Sequence, residues 1–397
     1  MKLTDLQTFV VGTPPPHWGG QFWVFVKLTT DSGVSGIGEA YAVPFHPDVT
    51  VKMIEDVFAR RLLGMNPFHI ERIWRRVYSS GYTQRPDSTM MAVLSALEMA
   101  CWDIIGKETN KPVYDILGGK IHERLRSYTY LYPKDGDRTD VYSDPDLAAE
   151  RAAENVALGF TGVKFDPAGP YSAFDPRQPS LERMDLSEKL VARVREAVGD
   201  KADLLFGTHG QLTTSGAIRL ARRLEKYDPL WFEEPTPPEN TREMAKLSRQ
   251  TTIPIATGER LCTKYEFHRV LESGAASILQ MALGRVGGLL EGKKIASMAE
   301  VYYAQIAPHM YCGPVSAMAD IQLSTCTPNF LIQESINTMG DFHAEILKEP
   351  IQWEDGYIIP PTKPGLGIEL DEEVIARHPF TGDQLHLEMV DDPVIFE

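Results

Sequence analysis

The chain has 397 residues, more than the roughly 250–300 at which a single core stops growing, so we expect two domains. Hydrophobic residues make up 43% of it and charged residues 24%, which is ordinary globular composition. A net charge of −15 argues against a nucleic-acid partner, because neutralising phosphates requires clustered lysine and arginine.

Two further features concern compartment. No apolar run approaches the roughly 20 residues that span a bilayer, and the N-terminus lacks the apolar region of a signal peptide. The four cysteines are scattered, without a spacing typical of a metal or redox site. We therefore expect a cytoplasmic protein with reduced thiols and no membrane partner.

The first part of the chain mixes strands and helices. Residues 3–11 and 21–30 are rich in β-branched and aromatic side chains, which predicts two strands. Helical patterns follow at 48–64, 67–79 and 88–107, the last beginning at Ser88, a good cap residue. We predict an α+β capping domain over residues 1–125.

From residue 126 the pattern becomes a regular alternation of short strands and amphipathic helices. Eight strands within about 210 residues predict a (β/α)8 TIM-like barrel over residues 126–350. A doubly wound open sheet is the alternative, but no glycine-rich phosphate loop follows the first strand. The turn-rich segment 351–397 is expected to return to the capping domain. The predicted strands are 126–132, 161–166, 202–207, 229–234, 253–258, 277–281, 303–308 and 329–334.

Acidic residues stand at the ends of two consecutive strands. Glu233 closes WFEE, and Glu259 follows ATG 26 residues later. The carboxyl ends of barrel strands build the active site, so we expect both carboxylates in one layer, sharing a hard cation such as Mg²⁺. The same step backwards reaches Gly207, where a third carboxylate would stand; an aspartate introduced there is expected to tighten Mg²⁺ binding.

Other chemically capable residues end neighbouring strands. His209 shares the strand face of residue 207, since side chains alternate with period two. A second set, from three other strands, consists of Lys164, Asp166, His309 and Glu334. Such groups suit proton abstraction beside a carboxylate, with a metal, lysine or glutamate stabilising the developing charge.

Short motifs recur along nearly the whole chain. They are GxGE (36–39), ALEMACWDIIGK (96–107), LGG (117–119), WFEEP, GER, APH, IQE and PGLGIE (364–369). Together they resemble the enolase superfamily, in its mandelate racemase-like branch and the sugar-acid dehydratases within it. The longer segment WFEEPTPPEN is similar to galactonate and mannonate dehydratases.

The resemblance implies roles for particular residues. Metal ligands would be Glu233 and Glu259, with Mg²⁺ as cofactor. Catalytic residues would be Lys164, Asp166, His209, His309 and Glu334. Loops of the capping domain would select the substrate through His17, Trp18 and His46.

Three departures from the family pattern stand out. Gly207 replaces the first ligand, which leaves three alternatives for the metal: weak binding, water or Asp166 as a substitute ligand, or no metal. Ala282 replaces the aspartate that normally orients His309, and Asp166 stands where racemases have a second lysine.

The resemblance implies an acid-sugar dehydratase, a hydro-lyase acting through an enediolate to a 2-keto-3-deoxy acid, and we expect a homo-oligomer. A cycloisomerase or epimerase acting on a sugar acid or lactone is the alternative within enzymes. A degenerate barrel that binds sugar acids without turnover is the alternative outside them.

Overall fold

A small antiparallel sheet and a set of helices open the chain in the computed structural model, which describes residues 1–41, 44–79, 86–134, 136–137, 139–169 and 176–387. Strand β2 lies between β1 and β3, and both pairs are antiparallel. The elements are β1 (Leu3–Gly12), β2 (Phe22–Thr30), β3 (Ser35–Ala40), α1 (Pro47–Val57), a π-helical turn (Phe58–Leu62), α2 (Ile70–Tyr78), α3 (Ser88–Thr109) and α4 (Val113–Ile116).

Helix α3 is the core element of this region. Asp87 caps it by accepting hydrogen bonds from the backbone N–H groups of Thr89 and Met90, and Asn110 ends it in the left-handed conformation. Within the described residues it is the one helix long and apolar enough to cross a membrane, but 89% of that window is buried inside the protein. A core helix passes the same test, so no membrane span is indicated.

Eight parallel strands follow and close on themselves. From β5 to β10 each strand pairs with the strand before it in the chain, and β11 pairs with β4. A parallel bridge between Ile306 and Phe330 closes the remaining gap. The strands are β4 (Leu125–Tyr130), β5 (Gly162–Phe165), β6 (Asp203–Gly207), β7 (Trp231–Glu233), β8 (Ile255–Thr257), β9 (Ile278–Leu279), β10 (Gln305–Ile306) and β11 (Gln333–Glu334). The predicted (β/α)8 barrel is confirmed, and all eight predicted strands are present.

Helices cover the outside of the barrel. Their buried faces pack on the strands because apolar residues recur at helical spacing. They are α5 (Pro145–Leu158), α6 (Leu181–Val198), α7 (Thr214–Leu224), a 3-10 turn (Glu225–Tyr227), α8 (Thr241–Ser248), α9 (Thr263–Ser273), α10 (Leu283–Val286), α11 (Leu289–Val301), α12 (Pro314–Thr325) and α13 (Asp341–Glu345).

The C-terminal segment makes two kinds of contact. The hairpin of β12 (Gln352–Glu354) and β13 (Tyr357–Ile359) pairs antiparallel with β4, whereas α14 (Glu372–Arg377) leads to a bridge between Pro379 and Val11 in the first sheet. The segment therefore contacts both the barrel and the N-terminal region.

Candidate active site

The barrel interior is filled by one layer of apolar side chains, and the next inward residues form the site. The apolar layer contains Tyr128, Leu205, Trp231, Ala256, Ile278, Ala307 and Ile332. Strand side chains alternate with period two, so the residue two positions further along each strand points the same way, one level nearer the mouth. With Lys164 of β5, that level contains Tyr130, Gly207, Glu233, Gly258, Gln280, His309 and Glu334.

Lys164 is fully buried at the centre of this level. Its Nζ lies 2.8 Å from Oε1 and 2.7 Å from Oε2 of Glu233, and 3.4 Å from Oε1 of Glu334. Burial alone would lower the pKa of Lys164, but the two carboxylates outweigh it and raise the pKa well above 10.5. The two carboxylates therefore favour the ammonium form of Lys164.

Glu233 accepts donors on both oxygens. Besides Lys164, Gln280 Nε2 donates to Oε2 at 2.8 Å and Trp231 Nε1 at 3.2 Å. Burial raises the pKa of Glu233 and Lys164 lowers it. Of the four contacts from these three side chains, one is to Oε1 and three are to Oε2.

Gly207 pairs in register with Glu233, but its side-chain position is filled. A Cβ there would overlap the Tyr130 hydroxyl and come within 2.9 Å of Lys164 Cε. Its φ lies outside the left-handed region, so the backbone does not require glycine. A side chain at position 207 therefore requires the Tyr130 hydroxyl and the Lys164 stem to shift. The effect of an aspartate there on Mg²⁺ binding stays a prediction.

His309 is held by two carboxylates. Its Nδ1 lies 2.8 Å from Glu334 Oε2, and its Nε2 lies 3.5 Å from Glu259 Oε1. Lys164 and His309 lower the pKa of Glu334 to about 2 despite burial, which raises it. Glu334 thus supplies the orienting carboxylate that Ala282 lacks.

His209 follows β6 in a left-handed conformation, with φ of 50°. Its Nδ1 lies 3.9 Å from Asp166 Oδ2, and Asp166 Oδ1 accepts a 2.8 Å bond from the backbone N–H of Ala168. Burial lowers the pKa of His209, but the neighbouring carboxylates of Asp166 and Glu259 raise it by more, so the net pKa lies above 6.5. Burial raises the pKa of Asp166 to about 6, against the opposing effect of His209.

Glu259 follows the end of β8. The register partner of Glu233 is Ala256 and β8 ends at Thr257, so Glu259 belongs to the turn after the strand. Its carboxylate still reaches the site, with Oε1 3.5 Å from His309 Nε2, and a cation shared with Glu233 stays a prediction. Burial raises the pKa of Glu259, but His309 and His209 hold it well below 4.5.

The three predicted loop residues occupy different places. Trp18 packs on Tyr132 at the end of the first barrel strand, with ring centroids 4.3 Å apart, and so reaches the mouth. His17 bonds to Thr13 Oγ1 at 3.1 Å. His46 caps α1 and lies 3.2 Å from the carbonyl oxygen of Gly382, so its described hydrogen bonds go to α1 and the tail.

Sequence reasoning missed an aromatic and cationic group beside His309. The Arg285 guanidinium lies 3.6 Å from the centre of the Tyr41 ring, and that ring lies 6.0 Å from the His309 ring. Arg285 is 9% exposed, and its Nε has no hydrogen-bond partner in the described part of the chain. No spacing signal pairs residues 41 and 285, because they come from different domains.

Comparison with known proteins bears directly on this arrangement. Residues 147–374 match the family described as Enolase C-terminal domain-like, and residues 17–118 match the mandelate racemase/muconate lactonizing enzyme N-terminal domain. The chain belongs to the enolase superfamily. It is an enzyme of the mandelate racemase-like group, as the motifs predicted, and the fold class agrees.

Relatives of this enolase-superfamily chain include two named enzymes. The D-galactonate dehydratase of Ralstonia nicotianae is 35% identical, over 94% of both chains. The D-xylonate dehydratase of Haloferax volcanii is 33% identical, over 97% of this chain and 90% of its own. A mandelate racemase/muconate lactonizing enzyme-like protein from Roseovarius sp. TM1035 has a TM-score of 0.96 at 53% identity, over 99% of both chains.

Enolase-superfamily enzymes generally use Mg²⁺, which prefers oxygen ligands. Both oxygens of Glu233 face nitrogen donors, one of them cationic, and Gly207 supplies no ligand. Among the described residues, no group of three or more His, Cys, Asp or Glu side chains is arranged to hold a metal. The residues present do not fit a three-carboxylate Mg²⁺ site.

Proposed function

We propose that the chain is an acid-sugar dehydratase in which His209 and His309 transfer the protons. The carrying observation is the placement of the two histidines. They follow the ends of the third and seventh of eight barrel strands, which lie opposite each other, and each is beside its own carboxylate, Asp166 or Glu334. A substrate between them would meet a proton carrier on each face.

The roles follow from the surroundings. His309, oriented by Glu334, takes the proton from the carbon next to the substrate carboxylate. His209, whose pKa is raised, donates a proton to the β-hydroxyl as its C–O bond breaks. The C–H electron pair forms the new C=C bond, water leaves, and the enol becomes a 2-keto-3-deoxy acid.

Two observations support an anionic substrate. The ammonium of Lys164 and the guanidinium of Arg285 both lie at the mouth, and the second has no ion pair in the described residues. The two curated relatives are named for galactonate and xylonate, both sugar acids. We infer an aldonic or related acid.

The test is a screen of acid sugars for 2-keto-3-deoxy products, with the matching neutral aldoses as substrate controls. We expect one or a few acids to react and the aldoses not to. His209→Asn and His309→Asn should each lower kcat by ~10²-fold or more, the usual size of general acid–base effects. The matched control is His268→Asn, on the outer helix α9, where the side chain is half exposed.

Three results would contradict the proposal. Either histidine variant within a few-fold of wild type would remove that residue from proton transfer. An acid sugar changed without loss of water would indicate an epimerase or cycloisomerase. Thermal shifts with sugar acids but no product from any of them would indicate a binding protein.

A further inference from the structure

A lysine ammonium already contacts the carboxylates of Glu233 and Glu334. We propose that the Lys164 ammonium is the resident cation of the catalytic centre and that no divalent metal binds between Glu233 and Glu259. The inference rests on the proposed function for its catalytic consequence but not for its structural claim.

Sterics are the first argument. A metal ligand at position 207 would need the space held by the Tyr130 hydroxyl and the Lys164 side chain. The Lys164 Nζ also lies 4.9 Å from the centre of the Tyr130 ring and 5.7 Å from that of Tyr128, so two aromatic faces flank the ammonium. The space that a third ligand at position 207 would use is thus occupied by the side chains of Lys164 and Tyr130.

Charge is the second argument. A cation approaching Glu233 would have to displace hydrogen bonds from Lys164, Gln280 and Trp231. It would also come close to a buried positive charge, and repulsion between like charges is strong where water is excluded. One ammonium already neutralises Glu233 and contacts Glu334.

The ammonium is also placed to act on substrate. Two of its contacts, to the Glu233 oxygens, are short, whereas the contact to Glu334 is 3.4 Å. A substrate carboxylate oxygen can replace that long contact and receive an N–H donor as charge develops. Glu233, Gln280 and Trp231 are then positioning residues that fix the ammonium.

The experiment measures metal directly. Full-length protein is assayed for bound metal by mass spectrometry, then titrated calorimetrically with MgCl2 and MnCl2 after EDTA dialysis. We expect no stoichiometric metal and no saturable binding below about 10⁻³ M, the weak end of protein cation sites. Dehydratase turnover should persist in EDTA.

Variants separate the causes. Lys164→Met keeps the apolar stem but removes the positive charge. It should therefore gain Mg²⁺ or Mn²⁺ affinity at least about ten-fold and lose turnover by ~10²-fold or more. Gly207→Asp should gain no affinity while Lys164 is present. Lys52→Met is the control, because Lys52 is exposed on α1 and its partner Glu55 is exposed as well.

Several outcomes would overturn the inference: stoichiometric metal in wild type, EDTA-sensitive turnover, tighter binding in Gly207→Asp, or no gain in Lys164→Met. If Lys164→Met does not fold, the wild-type metal measurements still decide. Absence of dehydratase activity together with absence of metal binding would refute the proposed function and leave the cation assignment standing.

Discussion

At the residue scale, the two histidines differ in what surrounds them. His309 lies between Glu334 and Glu259, whereas His209 is paired with Asp166, whose own pKa is raised to about 6 by burial. In the proposed mechanism the same residue type serves two roles because its neighbours differ, as is common for acid–base pairs in active sites.

This difference predicts a pH effect. If His209 is the acid, turnover falls as pH rises through its pKa. Asp166 raises that pKa, so Asp166→Asn should move the alkaline limb of the kcat profile towards lower pH. The measurement is kcat against pH for both proteins.

A matched control is available on the surface. Asp185→Asn removes a carboxylate that pairs with Arg223 on the outer helices, and its profile should overlie that of wild type. An alkaline limb unmoved in Asp166→Asn would assign Asp166 a structural role, and a shift to higher pH would contradict the sign of the interaction.

At the element scale, the GxGE motif has a structural explanation. A Cβ at Gly36 or Gly38 would overlap the carbonyl oxygens of Ala100 and Ala96, so the glycines allow β3 to pack directly on α3. The Glu39 carboxylate reaches the start of α12. There it accepts hydrogen bonds from the backbone N–H of Gly313, at 2.6 Å, and from that of Ser316, at 2.8 Å. One motif thus joins the sheet to a helix of each domain.

Glu39 gives the second pH prediction. Burial raises its pKa to about 7, although the hydrogen bonds from Ser316 and Gly313 oppose the shift. A folded-state pKa above the unfolded value means that the contribution to stability is fully present below pH about 4.5 and lost as pH rises through 7. Glu39→Gln cannot titrate, so the stability difference from wild type should narrow between pH 5 and 7.

Urea denaturation at several pH values measures that difference. At pH 5 the variant should be less stable by about 1–3 kcal/mol, because a buried N–H group loses its acceptor. The half-exposed Glu369 provides the control variant Glu369→Gln, which should follow wild type across the range. A stability gap that widens with rising pH would show that Glu39 is ionised throughout.

At the scale of the whole molecule, the C-terminal tail connects the first sheet and the barrel through one side chain. The ring of His386 lies 2.9 Å from the carbonyl oxygen of Phe22 and 3.2 Å from that of Tyr311, and its centre is 5.1 Å from that of Tyr41. Gly20 makes room for it, since a Cβ there would overlap the ring.

Two independent changes test this connection. His386→Ala removes the ring, and Gly20→Ala obstructs it in a left-handed backbone position; each should lower the free energy of unfolding by about 2–3 kcal/mol. Leu385→Ala, next to His386 but 37% exposed, is the control and should stay within about 0.5 kcal/mol of wild type. Unfolding midpoints equal to wild type in both His386→Ala and Gly20→Ala would mean that the tail does not hold the two regions together.

The sequence by itself determined the barrel and most of the residues at its mouth. Strand–helix alternation requires a parallel sheet, and period-two alternation places Lys164, Glu233, His309 and Glu334 on the inward face. A family resemblance carried by motifs along the whole chain gave the superfamily, which the comparisons confirm.

The tertiary structure decided which of these residues meet. Closure of the barrel, in which β11 pairs with β4, brings Glu334 to Lys164 although the two are 170 residues apart in the chain. It also puts the Tyr130 hydroxyl where a side chain at position 207 would go. Spacing along the chain fixes the direction of a side chain, but its partner depends on the register between strands and on turns, which no local pattern specifies.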